Sequence, residues 1–572
     1  MRVGRRERAW ARDGCVLAAR RPAARFAWVL PAAVLALSVL LGACGSGTGR
    51  AVAGSPRGAA RPDPPAVYVS ITGDDADDGL GPERPMRTIE AALSAARARG
   101  IARVLLRRGE VHERDATLRL AHGGTSAERP LVIDAFGEGA RPRLRSRAEV
   151  AVSIGGPEPV THLVVRGIAI EAARSDAEVG AGTSEGLRIA ADEGASGTAQ
   201  DVRLEDLVIR GFGVGVNAIG ANTQRGIREL SVTRTLVLDT HHAANAIGML
   251  FVAVSGLSLD TVVVDRVQRD AGRLPSVFDH AVYVQSDCRD VVIRSSIFAR
   301  APDGVMQRAG GVLEDNVVVD VAIGALEGYV FAGTVPTPGG VVFRVERNVF
   351  LELGDLSPEL PRGVGMYVGN VREGTIAHNV FARSRAASPW SGWALALLGD
   401  TEGGNVGIGA LDVVDNRFVQ LPTTLRLAGA RFGRVRFARN VVSELLAPTP
   451  FASLDAEVAL VLDGNASTGA TDEWTVATAG REEPMASWLA RRDAAFARVS
   501  LADPRRDLAG YHASLGGAPS TEAFLEAVRA QAEHGFREAL SGRAASAWIR
   551  EGYGHAPLPR SSAPHDDDLP RR

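Results

Sequence analysis

The chain has 572 residues, 23% of them charged and 5% aromatic, with 64 glycines and a formal net charge of −2. All 65 basic residues are arginine, so no lysine base is available for catalysis. Eight arginines against Glu7 and Asp13 give residues 1–43 a net of +6 and leave about −8 for the remainder, a balance that argues against non-specific nucleic-acid binding.

The N-terminus reads as a targeting segment. Arg20, Arg21 and Arg25 precede an apolar run from Phe26 to Leu41, and Gly42-Ala43-Cys44 follows. The run covers 16 residues, short against the ~20 of a membrane span. Leu41-Gly42-Ala43-Cys44 resembles the lipobox of bacterial lipoproteins. That resemblance implies a signal peptide over 1–43, lipidation of Cys44, a membrane anchor, and a place in the cell envelope or on the cell surface. Residues 44–66 are Gly/Ser/Pro/Ala-rich and read as a flexible tether. With Cys44 lipidated, Cys288 has no partner, and a buried inert thiol is expected there.

The body opens with a strand, Val67-Tyr68-Val69-Ser70, and a polar turn containing Asp74, Asp75, Asp77 and Asp78. A helix is predicted over 85–96, with apolar residues at Ile89, Ala92, Leu93 and Ala96, then a buried strand over 102–106. The order Tyr-Val-Ser, Gly-Asp-Asp, Arg87-Thr88-Ile89-Glu90-Ala91-Ala92, then Gly109-Glu110-Val111-His112 resembles the N-terminal cap of secreted right-handed parallel β-helix proteins of the pectate-lyase-like superfamily. The resemblance implies a helix that covers the open first rung and its unpaired edges.

Rungs follow. Aligned positions at Gly167, Asp206, Thr235, Thr261, Ser296, Asn316, Asn348, Asn379, Asn416 and Asn440 recur every 20–39 residues. That spacing signals a solenoid with loops inserted in some coils. Asn316, Asn348, Asn379, Asn416 and Asn440 share one register and read as a structural corner ladder, because Asn tolerates left-handed backbone and bonds neighbouring amides. The β-helix is expected over 67–465. Residues 466–572 are read as a C-terminal helical cap, or a helical element packed on the side of the coil, and a disordered end, with one helix starting at the N-cap Ser520 and a second over 544–551. The fold class is therefore all-β, a right-handed parallel β-helix solenoid with an N-terminal capping helix and a C-terminal helical tail.

Chemistry concentrates between Asp279 and Val319. Aligning 281–285 with 304–308 stacks Val282 on Val305 and Val284 on Gln307. With those pointing inward, Ala281, Tyr283, Gln285, Gly304, Met306 and Arg308 are expected to face out, Gln285 one strand spacing (~4.8 Å) from Arg308. His280, Tyr283 and Arg308 are the catalytic candidates: His280 as base, Tyr283 as acid, Arg308 to neutralise a carboxylate and so acidify the proton beside it. Gln285, Gln307, Asn217 and Tyr367 are the substrate-binding candidates. Such parts suit β-elimination or C5-epimerisation of a uronate in an acidic polysaccharide. The alternative is a non-catalytic surface protein that binds glycan or supports the envelope. β-Helix lyases with a lysine base differ from this chain, which has none, and Asp279-His280 lacks the proline of the Asp-Pro-His motif of β-helix mannuronan epimerases. No cofactor and no metal site are expected at the candidate site, the Asp74–Asp78 cluster being a calcium candidate. A monomer is expected.

Overall fold

The computed structural model describes residues 64–557, apart from the short segments 174–183, 191–198, 222–225, 243–244, 270–273, 332–333, 358–360, 387–390, 455–459 and 479–480. The signal peptide, Cys44, nearly all of the tether and the C-terminal end from 558 lie outside the described residues. Among the described residues no helix is long and apolar enough to cross a membrane.

From Pro65 onward the chain forms one unit, a right-handed parallel β-helix. Each full coil contributes one strand to each of three parallel columns. The long column has fourteen strands, from Val67–Val69 to Leu460–Asp463, each hydrogen-bonded to the strand of the next coil. A second column of mostly short strands runs through Val208–Arg210, Leu236–His242, Val349–Leu351, Val380–Ala382 and Arg417–Val419. It is called the flank column below. A third, the site column, runs through Val214–Ile219, Ile247–Val252, His280–Val284, Val364–Gly369 and Trp393–Gly399. Strands Ile297–Gln307 and Val317–Glu327 pass without a break from flank to site column.

The interior is a stack of like on like. Phe350, Phe381, Phe418 and Phe437 lie face to face at centroid spacings of 4.6, 5.3 and 5.7 Å, near the strand spacing. The asparagine ladder closes the corner between the long and flank columns. Asn348 Oδ1 accepts from the Asn316 backbone N–H at 3.0 Å and from its Nδ2 at 2.9 Å. Asn379 does the same for Asn348, Asn416 for Asn379, Asn440 for Asn416, and the series runs on to Asn465. One expectation needs correcting: the left-handed residue at this corner is the one before the asparagine. Ser295, Asp315, Arg347, His378, Asp415 and Arg439 have φ between 53 and 59°. The asparagine's task is to pair the amides that the corner leaves without ladder partners.

Both ends are covered. Helix α1 (Ile89–Arg99) starts at Thr88, whose hydroxyl accepts from Ala91 N–H, and ends at Gly100 in the left-handed conformation. It buries Ile89, Ala92, Leu93 and Ala96 over the first coil. At the other end α2 (Met485–Ala490) puts Met485, Trp488 and Leu489 into the same core, with Trp488 5.7 Å from Phe451. The last helices do something else. α3 (Leu508–Ser514), α4 (Thr521–Arg529), α5 (Gln531–His534) and α6 (Gly542–Gly552) lie along the outer face of the flank column. Phe524, Leu525, Val528, Ile549 and Tyr553 pack there on Val317, Val319, Val349, Leu351, Val380 and Ala382. Ser520 caps α4, its hydroxyl accepting from Ala523 N–H at 3.0 Å.

Candidate functional site

The site column sets the register. His280 pairs with Ile247 on one coil and Asp303 on the next; Tyr283 pairs with Leu250 and Met306, and Val284 with Phe251 and Gln307. Val282 and Val284 point into the core, while Tyr283 and Met306 belong to an outer cluster with Leu326, Tyr329, Tyr367 and Leu398. Ala281 and Gly304 do not face out as expected. Ala281 is in the core, and the column it belongs to is kept small because the next coil's backbone is close. A Cβ on Gly304 would sit 2.4 Å from Gly324 O, and one on Gly324 2.4 Å from Gly365 O.

Four candidates meet around Tyr283. Its ring lies 4.7 Å from the His280 ring and 4.9 Å from the Arg308 guanidinium carbon. Gln285 Nε2 donates to the Tyr283 hydroxyl oxygen at 3.1 Å. Arg308 also donates to Thr334 Oγ1 at 3.1 Å, which ties it to the loop after Tyr329. Tyr283 and Gln285 are half-buried; His280 and Arg308 are only 4% and 7% exposed.

Beneath His280 is a residue that the sequence reading passed over. Asp303 is fully buried, and its Oδ2 is 3.1 Å from His280 Nδ1, close but poorly aligned for a hydrogen bond. Aligning 281–285 with 304–308 already stacks residue 303 on 280, so the signal was present one position upstream. Burial raises the Asp303 carboxyl well above the usual range, and the neighbouring Asp279 charge adds to that; Arg362 and Arg308 oppose it. Burial, with Arg308, pushes His280 down to about 3, Asp279 opposing. His280 is thus a neutral imidazole at neutral pH. Burial also lowers Arg308, which Tyr283 and Asp303 partly offset. Asp279 serves the loop before the strand, accepting from Ala246 N–H at 3.0 Å and Ser276 N–H at 2.9 Å.

Gln307 leaves the candidate list. It is fully buried on the inward side, and its Nε2 donates to Gly310 O at 2.8 Å. Its register partner is Glu327, equally buried. Burial raises the Glu327 carboxyl well above its ordinary value. Asn217 stands in the Tyr283 column two coils earlier, about 10 Å away, and Tyr367 three coils later, about 14 Å. Both therefore belong to the same outer face without touching Tyr283. Beside Tyr367, Arg362 and Arg426 bring two further guanidinium groups near this face, Arg426 lying 4.2 Å over the Trp393 ring. Neither carries a local signal in the sequence, since each lies on a different coil from the stretch between Asp279 and Val319.

Cys288 is buried and its thiol donates to Phe251 O at 3.5 Å; burial pushes it up to about 12, an inert form. In the Asp74–Asp78 turn the carboxylates serve the backbone. Asp75 accepts from the Arg87 and Thr88 N–H groups and the Thr88 hydroxyl, Asp74 from Ala76 N–H, and Asp78 from Leu80 N–H and Arg84. Among the described residues no group of three or more His, Cys, Asp or Glu is placed to hold a metal ion.

No protein-family model matches the chain, and no curated protein matches it. Solved structures do. A rhamnogalacturonan lyase is 10% identical over 63% of this chain and 82% of its own, with a TM-score of 0.36. The A-module of a mannuronan C-5 epimerase from Azotobacter vinelandii is 14% identical over 68% and 94%, TM-score 0.39. A pectate lyase is 12% identical over 71% and 80%, TM-score 0.29.

Proposed function

We propose that this chain is a carbohydrate-active β-helix enzyme, a polysaccharide lyase or C5-epimerase acting on an acidic glycan. One observation carries the reading: His280, Asp303, Tyr283, Gln285 and Arg308 converge on two adjacent coils at the outer face of one column. A face built of stacked coils is elongated, which suits a linear polymer.

The chemistry follows from the parts. Arg308, beside the His280–Tyr283 pair, neutralises a uronate carboxylate and so acidifies the proton at C5. His280 is unprotonated at neutral pH, the form a base requires. A bound carboxylate raises its proton affinity as the proton is taken. As the C5–H bond breaks, its electrons form the C4–C5 double bond and the C4–O bond opens. The leaving oxygen takes the Tyr283 proton, which is available because Gln285 donates to the phenol oxygen rather than accepting from it. Return of the proton to the opposite face of C5, without C4–O cleavage, is epimerisation.

The test is to incubate the protein with a panel of uronate polymers, following the ultraviolet absorbance of an unsaturated product and, in deuterium oxide, exchange at C5 by NMR. Activity that Tyr283→Phe and His280→Gln abolish is the expected result. Neither absorbance nor exchange on any polymer sinks the enzymatic reading. The second reading, a non-catalytic glycan-binding protein, is favoured by the burial of His280 and Arg308 in the free state. It predicts polymer binding without turnover. In either case the motif at Leu41–Cys44 supports a lipid anchor in the cell envelope, tested by incorporation of labelled palmitate that Cys44→Ser removes.

A further inference from the structure

Beside the His280–Asp303 pair, at the corner between flank and site columns, runs a cleft of about 810 Å³. Its lining comes from five successive coils, one after another: Gln268, Pro302, Ala322, Leu356 and Arg385. Four coil spacings make it roughly 19 Å long, parallel to the coil axis. Pro302 and Ala322 precede Asp303 and Ile323 directly in the chain, so the cleft runs along the corner next to the site column. Asp355 lines the cleft and accepts from the Arg362 and Gly363 N–H groups at 2.8 and 3.1 Å, and Arg362 acts electrostatically on Asp303.

The charges in this cleft balance. Arg300 is held by Asp265 at 2.5 Å and Glu522 at 2.8 Å, and Arg385 by Asp320 and Glu352. Asp320 and Asp355 are themselves in the lining. A carboxylate brought here meets two acids, and both guanidinium groups of the lining already have carboxylate partners. Apolar faces of Pro275, Pro302 and Leu356 with the Gln268 amide and Ser357 hydroxyl suit sugar rings and their hydroxyls. The contrast with the Arg308, Arg362 and Arg426 side of the same face is direct.

We infer that this cleft is a saccharide-binding channel for uncharged sugar units, so that the polymer it takes carries neutral sugars beside the uronate at the dyad rather than uronates throughout. The inference rests on the glycan reading above but not on turnover. Gly354 offers a clean block. A Cβ there meets only the Arg385 Cβ, at 3.8 Å, an ordinary contact, so Gly354 in the cleft wall accepts a side chain and Gly354→Phe is the blocking variant. Arg385→Gln is the second variant, removing one wall charge without added bulk.

Affinity electrophoresis of the full chain in gels containing rhamnogalacturonan or hyaluronan, which alternate uronate with neutral sugar, is compared with polygalacturonate and alginate. Binding at least tenfold tighter to an alternating polymer is expected, with Gly354→Phe losing it at unchanged thermal midpoint and Arg385→Gln weakening it severalfold. Equal or tighter binding to the all-uronate polymers overturns the inference. So does undiminished binding by both variants, or no binding to any of the four. Retained binding without product formation removes the enzymatic reading alone and leaves the channel standing.

Discussion

Asp303 Oδ2 lies 3.1 Å from His280 Nδ1, the two residues being register partners on adjacent coils. Both are buried, and the environment pushes each toward its neutral form. The consequences for stability have opposite signs. The imidazole drops from 6.5 to about 3 on folding. Its contribution is complete above about 6.5 and is lost as the pH falls toward 3, because only the unfolded chain takes the proton. The carboxyl, raised on folding, contributes fully below its ordinary value of 3.8 and loses that contribution as pH rises. His280→Gln is therefore expected to flatten the acid limb of a denaturation profile between pH 6.5 and 3 while leaving the alkaline limb as it was. Chemical denaturation at a series of pH values reads this directly. An unchanged acid limb contradicts a buried neutral imidazole.

The asparagine ladder makes a sharper demand on stability. The Asn379 side chain takes part in four hydrogen bonds: two accepted from Asn348, one donated to Val345 O and one to Asn416 Oδ1. All are buried. Asn379→Ala leaves the Asn348 amide and the Val345 carbonyl without those partners, at about 1–3 kcal/mol for each stranded group. A loss of roughly 3–5 kcal/mol is expected, with the far-ultraviolet spectrum of the native state preserved. Asn379→Asp keeps the acceptor but sets a carboxylate oxygen against two buried acceptors, Val345 O and Asn416 Oδ1, so it should cost at least as much as Asn379→Ala. A ladder that served ligand binding instead would show near-native stability in both variants.

What sequence could convey follows from these same residues. The coil period and the ladder were legible because stacking forces one residue type into one register, and that repetition survives loops of varying length. The capping helix was legible because Ile89, Ala92, Leu93 and Ala96 give a helical stripe beside a Thr N-cap. The inward or outward sense of Gln307 was not settled by type, since a polar side chain conventionally points out. Its position opposite Val284 was the better guide, because register overrides polarity inside a coil. Arg362 acts electrostatically on Asp303 from the coil two rungs further on, so no local spacing signals the relation. The tail was legible as helices that either cap the coil or pack on its side, and the choice between the two was not, because the apolar outer residues of the flank column read simply as buried strand.

That tail carries its own expected outcome. Arg529 bridges Asp239 and Asp265 at 2.7 Å each, Arg300 joins Asp265 to Glu522, and the apolar faces of α4 and α6 cover Val317, Val319, Val349 and Leu351. A chain ending at residue 500 exposes that stripe. It should aggregate or bind a hydrophobic dye strongly, whereas Arg529→Ala should remain monodisperse and lose about 1–3 kcal/mol, because Asp265 keeps Arg300 as a partner. Size-exclusion chromatography and dye fluorescence separate the two. A soluble, dye-silent truncation would mean that the helices are dispensable to the coil.

Glu327 supplies the last test, and it is independent of any ligand. The side chain is fully buried, neither carboxylate oxygen has a hydrogen-bond partner among the described residues, and its register partner Gln307 has an amide oxygen in the same condition. A protonated carboxyl answers both needs, since its O–H can donate to Gln307 Oε1 across one strand spacing. Burial is the cause of the raised value, so the sign is fixed: the contribution is complete below the ordinary 4.5 and is lost as pH rises toward the folded value. Glu327→Gln keeps the shape and cannot ionise. It should match or exceed the wild type at pH 8, with the gap widening as pH rises, and show no advantage at pH 4. Glu327→Leu, which strands the Gln307 oxygen, should be destabilised by about 1–3 kcal/mol at pH 4, the deficit shrinking as pH rises. If Glu327→Gln is less stable than wild type at alkaline pH, the carboxylate is ionised and paired in the native coil, and the neutral acid–amide pair is wrong.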